Sequence, residues 1–198
     1  DIDSFVDSAD SFMGLAHHIF RHLTGICAFV VDTFDLSTSS CPNRRSIEIL
    51  RAEDMAQALL SQDLQLQVDS TDPHVKALIH HAEAFRFATL FYLYRHILRF
   101  CDMQAVLKLR MQSYVDKILQ HVSQVPSNMF CEMGLLFPLF MAGIGSVGNH
   151  NTTKYIEDRL DCIESWTKFK HIARARELLC KLWNEGRTDW EVKLEELG

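Results

Sequence analysis

At 198 residues, with 47% hydrophobic and 23% charged side chains, the chain is long enough for one domain with a real core and too apolar to be disordered. A formal net charge of -6 supplies no sequence-independent attraction to phosphates, so the chain is not expected to hold DNA by itself. It opens at Asp1 without a methionine and is expected to be a piece of a longer protein.

From Ser4 to about Phe34 apolar residues recur at helical spacing (Phe5, Phe12, Leu15, Ile19, Leu23, Ile26, Val30), and Ser4-x-x-Asp7 has the form of a capping box, so a long first helix is expected. STSSCPN breaks it at 37–43, and Ile47, Leu50, Met55 and Leu59 indicate a second helix. SQDLQLQVDSTDP is a polar linker. Asp72 as N-cap and Pro73 at the first helical position open a third helix reaching about Phe100. A fourth carries Val106, Met111, Val115, Ile118 and Val122 and stops before Pro126.

The uncharged stretch GLLFPLFMAG, residues 134–143, is too short for a spanning helix, which needs roughly 20 apolar residues, so no membrane segment is expected. If helix runs through Pro138, the lost donor and the ring predict a kink, with Gly134 letting the backbone adjust. Leu135, Phe137, Leu139, Phe140 and Met141 cover nearly every side of a short helix, which places it centrally. Two readings follow for Leu135, Phe137, Phe140 and Met141: plain core, or the adaptable wall of a pocket for an apolar molecule. Thr152 then opens a helix with Ile156, Leu160 and Ile163. Phe169, Ile172, Leu179 and Trp183 mark another, and Thr188-x-x-Glu191 forms a last capping box. The fold class is therefore all-α: one multi-helix domain over residues 1–198, an irregular bundle around a central buried helix.

Motifs for chemistry are sparse. Gly143-x-Gly145-x-x-Gly148 has the glycine spacing of a dinucleotide loop, but no strand precedes it, and a helix end with a turn is the preferred reading. His18 and His22 lie one helical turn apart, yet two ligands do not make a metal site. Cys27, Cys41, Cys101, Cys131, Cys162 and Cys180 contain no C-x-x-C pair and are read as buried thiols in a reducing compartment, since no signal peptide is evident. Neither a nucleophile with a placed base nor a Glu-x-x-His pattern occurs, so no enzyme and no cofactor is expected. In HHAEAFRFATLFYLYRHILRF the polar residues His81, Glu83, Arg86, Arg95 and Arg99 are threaded through an apolar helix. Glu83 and Arg86, three apart, are expected to form a structural pair.

HAEAFRFATLFYLYRHIL, GLLFPLFMAG, KYIEDRL, FKHIARARELLCKLW and TDWEVKLEELG, in this order, resemble the carboxy-terminal part of the fungal-specific transcription factor domain from about His80 to Gly198. That domain is the regulatory region of fungal zinc binuclear cluster activators. The resemblance implies a nuclear protein whose helical region controls activation through small effectors, self-association as a homodimer or co-regulator contact; some relatives bind apolar ligands such as sterols there. It also implies that zinc and DNA contacts belong to a separate six-cysteine module, whose close cysteine spacing this chain lacks. A ligand-independent helical scaffold for dimerisation or partner docking is the competing reading.

Overall fold

The structure is a computed structural model and describes residues 16–37, 42–62 and 72–197. Among them are eight α-helices and no strand: α1 (His17–Asp32), α2 (Pro42–Leu60), α3 (Pro73–Ile97), α4 (Gln104–Ser123), α5 (Leu136–Ile144), α6 (His150–Thr167), α7 (Lys170–Glu185) and α8 (Trp190–Leu197). Short 3-10 segments follow α1 at Phe34–Ser37 and precede α5 at Phe130–Leu135. The all-α expectation holds. The capping box at Ser4 and Asp7 lies outside the described residues, as does most of the linker.

The central helix is α3. Its start is set locally: the Asp72 side chain accepts from the His74 amide at 2.8 Å, and Pro73 occupies a first-turn position where its missing N–H costs nothing. Its buried residues then run round every side, from Val75 through Phe91 to Ile97, so it has no solvent stripe. It ends at Ile97, slightly before the expected Phe100. Helices α1, α2, α4 and α5 pack around it, and α6, α7 and α8 continue outward from α5.

Several boundaries and faces differ from the sequence expectations. Helix α2 begins at Pro42, inside the expected break, and buries Ala52, Ala56 and Leu59, leaving Ile47 62% and Leu50 67% exposed. Small alanines on the buried side let a neighbouring backbone approach closely. Helix α6 begins at His150 and is capped by Asn149, whose side chain accepts from the Thr152 amide at 3.2 Å, so the cap precedes Thr152. Helix α8 starts at Trp190, later than a cap at Thr188 would place it. Of the cysteines, only Cys101 and Cys131 are buried among those described, and Cys27 is exposed.

The expected kink at Pro138 is corrected. The chain runs as 3-10 turn to Leu135 and then starts a new α-helix at Leu136, so Pro138 sits in the first turn, where its amide would have had no helical partner. Gly143 lies within α5 and Gly145 caps its end. A β-carbon at Gly143 would stand 2.8 Å from a Leu179 methyl, and one at Gly145 2.5 Å from a Val115 methyl, so both glycines serve close helix packing.

Candidate functional site

The polar residues threaded through α3 almost all find partners. Glu83 and Arg86 pair at 3.2 Å with each side chain only 9% exposed, and a second Arg86 nitrogen donates to the Gln62 carbonyl at the end of α2. Arg95 holds the Glu191 carboxylate and donates to the Thr188 carbonyl at 2.8 Å, with Arg99 on Glu191 at 3.3 Å, so the acid of the expected last capping box is spent on tying α8 to α3. Tyr94 donates to Glu53 at 2.8 Å and Arg110 joins the same carboxylate at 2.9 Å, linking α2, α3 and α4. His81 is the exception. It is fully buried, and neither ring nitrogen has a hydrogen-bond partner among the described residues. Burial without a compensating charge pushes its pKa down to about 4, so the ring is neutral at pH 7.

Beside this helix lies a cleft of about 590 Å³ bordered by α1, α3, α5, α7 and α8. Its walls are apolar and aromatic. Phe20 and Phe85 approach at 5.6 Å between ring centres, Phe85 and Phe137 at 5.6 Å, and Phe140 and Trp190 meet edge-on at 5.7 Å. Such tilted and edge-on contacts hold aromatic walls in place while leaving ring faces for a guest. Phe137, Phe140 and Met141 line the cleft. Leu135 does not: it is fully buried in the core, together with Leu139. The half-exposed side of α5 is therefore the cleft side, and its other side is core, because a short helix with apolar residues all round still meets two different surroundings.

The polar groups at the cleft are few: Cys27, Tyr92, His171 and the Trp190 indole N–H, which is buried with no partner among the described residues. Partial burial raises the Cys27 thiol and the Tyr92 hydroxyl above their ordinary pKa values, so both stay protonated and neither is an activated nucleophile. His22, the second histidine of the spaced pair, bonds to Gln62 at 2.7 Å instead of facing a metal, and among the described residues no group of three metal-ligating side chains occurs.

Two features were not read from the sequence. Glu132, fully buried, is held by Arg159 at 2.9 Å, by the Trp166 indole at 3.1 Å and by the Asn128 amide at 2.7 Å, clamping the segment before α5 onto α6. Its signal was present in the KYIEDRL motif, which contains Arg159. The second is a set of exposed apolar side chains on α2 and at the start of α4. Contacts of Gln62 with Arg86 and of Glu53 with Tyr94 run α2 antiparallel to α3, and those of His80 with His121 and of Tyr94 with Tyr114 do the same for α4. Helices α2 and α4 are thus parallel to each other, and the Glu53–Arg110 pair sets their register. One turn before it on each helix Leu50 and Val106 are exposed, as are Ile47, Met103 and Leu109, each 47% or more.

Among the described residues no helix is long and apolar enough to cross a membrane. A family model for the fungal specific transcription factor domain matches residues 3–198, extending the likeness from His80 back almost to the first residue. No curated protein and no solved structure matches the chain.

Proposed function

The chain belongs to the fungal specific transcription factor domain family, and from that premise we propose that it is an effector-responsive regulatory domain of a nuclear transcription factor, with the cleft between α1, α3, α5, α7 and α8 as its receiving site for a small apolar molecule. The observation that carries this reading is the cleft itself: about 590 Å³ walled by Phe20, Phe85, Phe137, Phe140 and Met141, with few polar groups at hand. Such a volume suits a drug-sized or lipid-sized guest, and its apolar lining selects by buried area. Five helices border it. A guest that touches several of them stabilises one arrangement of the domain by mass action, and co-regulator surfaces elsewhere can respond. No catalytic step, cofactor or zinc is proposed for this chain. The net charge of -6 supports leaving DNA contact to another module.

Native mass spectrometry of the domain purified from its own host tests this reading. A retained apolar adduct, lost on organic extraction and accompanied by a lower melting temperature, is the expected result. No adduct, and no thermal response to a host lipid extract, would overturn it.

The exposed apolar side chains of Ile47, Leu50, Met103, Val106 and Leu109 support a second reading, a helical scaffold that forms a homodimer or docks a co-regulator without ligand. The same spectra give the subunit count. A Leu50→Glu change that leaves folding intact and abolishes self-association or co-regulator binding is what this reading expects.

A further inference from the structure

His81, the fully buried α3 side chain with neither polar atom partnered among the described residues, stands behind the cleft wall. A β-carbon at Gly134 would lie 2.3 Å from the His81 ring nitrogen Nε2, so that nitrogen is directed at a residue with no side chain, and Gly134 is itself part of the cleft lining. Phe85, the neighbouring wall residue, packs its ring 5.1 Å from the His81 ring. Gly134 therefore stands between an unsatisfied imidazole and the apolar space, near the end of a 3-10 segment rather than inside a regular helix.

A buried donor or acceptor without a partner costs free energy that a core hydrocarbon in its place would not. The imidazole stays neutral at pH 7 because its pKa is depressed to about 4, and so it offers one N–H and one lone pair. A hydroxyl group, which both donates and accepts, is the simplest complement to such a ring. A carboxylate or ammonium would have to leave water for an apolar cleft with no charged side chain in its lining.

Resting on the reading that the cleft takes an apolar effector, we propose that the effector carries a hydroxyl at its inner end and that this hydroxyl binds His81 as the turn at Gly134 yields. His81 is then a specificity-determining residue. Apolar walls supply affinity, and the imidazole discriminates a hydroxylated guest from a plain hydrocarbon of the same size.

Decan-1-ol and decane, each displacing Nile red from the folded domain, test this as a pair. The ratio of their affinities should shift toward decane by about five- to tenfold in His81→Leu, the value of one lost hydrogen bond, while decane affinity itself holds. His81→Gln, which returns a polar group near the Nε2 position, should restore much of the ratio. An unchanged ratio in His81→Leu, the result expected if a buried water is the only partner of His81, would overturn the proposal and leave the apolar effector reading standing. Displacement by neither compound in the unaltered protein would overturn both. If His81→Leu did not fold, the ring ¹⁵N resonances of His81 in the unaltered protein decide: they should move with decan-1-ol and stay with decane, and equal responses would refute the inference.

Discussion

The Thr33 hydroxyl donates to the Phe29 carbonyl at 2.6 Å, so only its oxygen remains for His96 Nε2, 2.7 Å away, and His96 must therefore carry its proton on Nε2. Nδ1 of the same ring is buried with no partner among the described residues, and a proton there would be an unsatisfied donor. Burial and the nearby Arg99 and Arg95 charges accordingly depress the His96 pKa to about 4. Thr33→Val removes the acceptor and strands the Nε2 proton. The expected loss of unfolding free energy is about 1–3 kcal/mol by urea denaturation at pH 7, and a loss under about 0.5 kcal/mol would contradict the assigned tautomer.

The pH dependence follows from three such rings. His81, His96 and His121 are each lowered from 6.5 to about 4, burial being the first cause in every case and the neighbouring His80, Arg86 and Lys117 adding to it for His121. Because the folded values lie below the unfolded ones, the unfolded chain binds more protons between about 6.5 and 4. Stability is thus full above about pH 6.5 and lost as the pH falls toward 4. Denaturation midpoints measured from pH 7 to pH 5, before most carboxylates titrate, should drop steadily. In His81→Leu the drop should be shallower, and an identical slope would remove His81 from the account.

Glu83 and Arg86 form a largely buried pair, and opening one end leaves the other charge uncompensated, at a typical cost of about 3–5 kcal/mol. Glu83→Gln should lower the melting temperature sharply with or without an apolar ligand. Stability unchanged together with a lost effector response would instead make the pair a ligand contact.

The Glu132–Arg159 clamp makes the same kind of demand on the segment before α5. Arg159→Met leaves a carboxylate with 0% exposure beside the Trp166 indole and the Asn128 amide alone, and should destabilise by about 3 kcal/mol or more. A near-neutral result, read by the same urea titration, would mean that those two neutral donors suffice.

Neighbouring residues of α5 should separate core from wall. Leu139 is fully buried, and Leu139→Ala should cost about 2–5 kcal/mol whatever the ligand state. Phe140 is half-buried at the cleft against Trp190, so Phe140→Ala should cost less without ligand and reduce the thermal shift produced by an apolar lipid extract. If Phe140→Ala were as damaging as Leu139→Ala in ligand-free protein, plain core would be the right description of both.

Sequence alone determined what depends on neighbours along the chain. The Asp72–Pro73 start of α3 and the end of α4 before Pro126 follow from caps, missing amides and i to i+4 hydrogen bonds, which act within a turn or two. The Glu83–Arg86 pair was legible for the same reason, being three residues apart on one helix. Tertiary structure decided the rest. The apolar spacing of Ile47, Leu50, Met55 and Leu59 indicated a helix, yet α2 buries Ala52, Ala56 and Leu59 and leaves Ile47 and Leu50 exposed, because the face a helix buries depends on the surface that meets it. Nothing local to Glu132 told that Arg159 would neutralise it, and nothing local to Gly134 told that His81 would leave no room for a side chain there. The division of α5 into Leu135 and Leu139 on the core and Phe137, Phe140 and Met141 on the cleft has the same origin: hydrophobicity places a residue away from water, and only the packing of α1, α7 and α8 decides whether it meets close-packed core or an open apolar space.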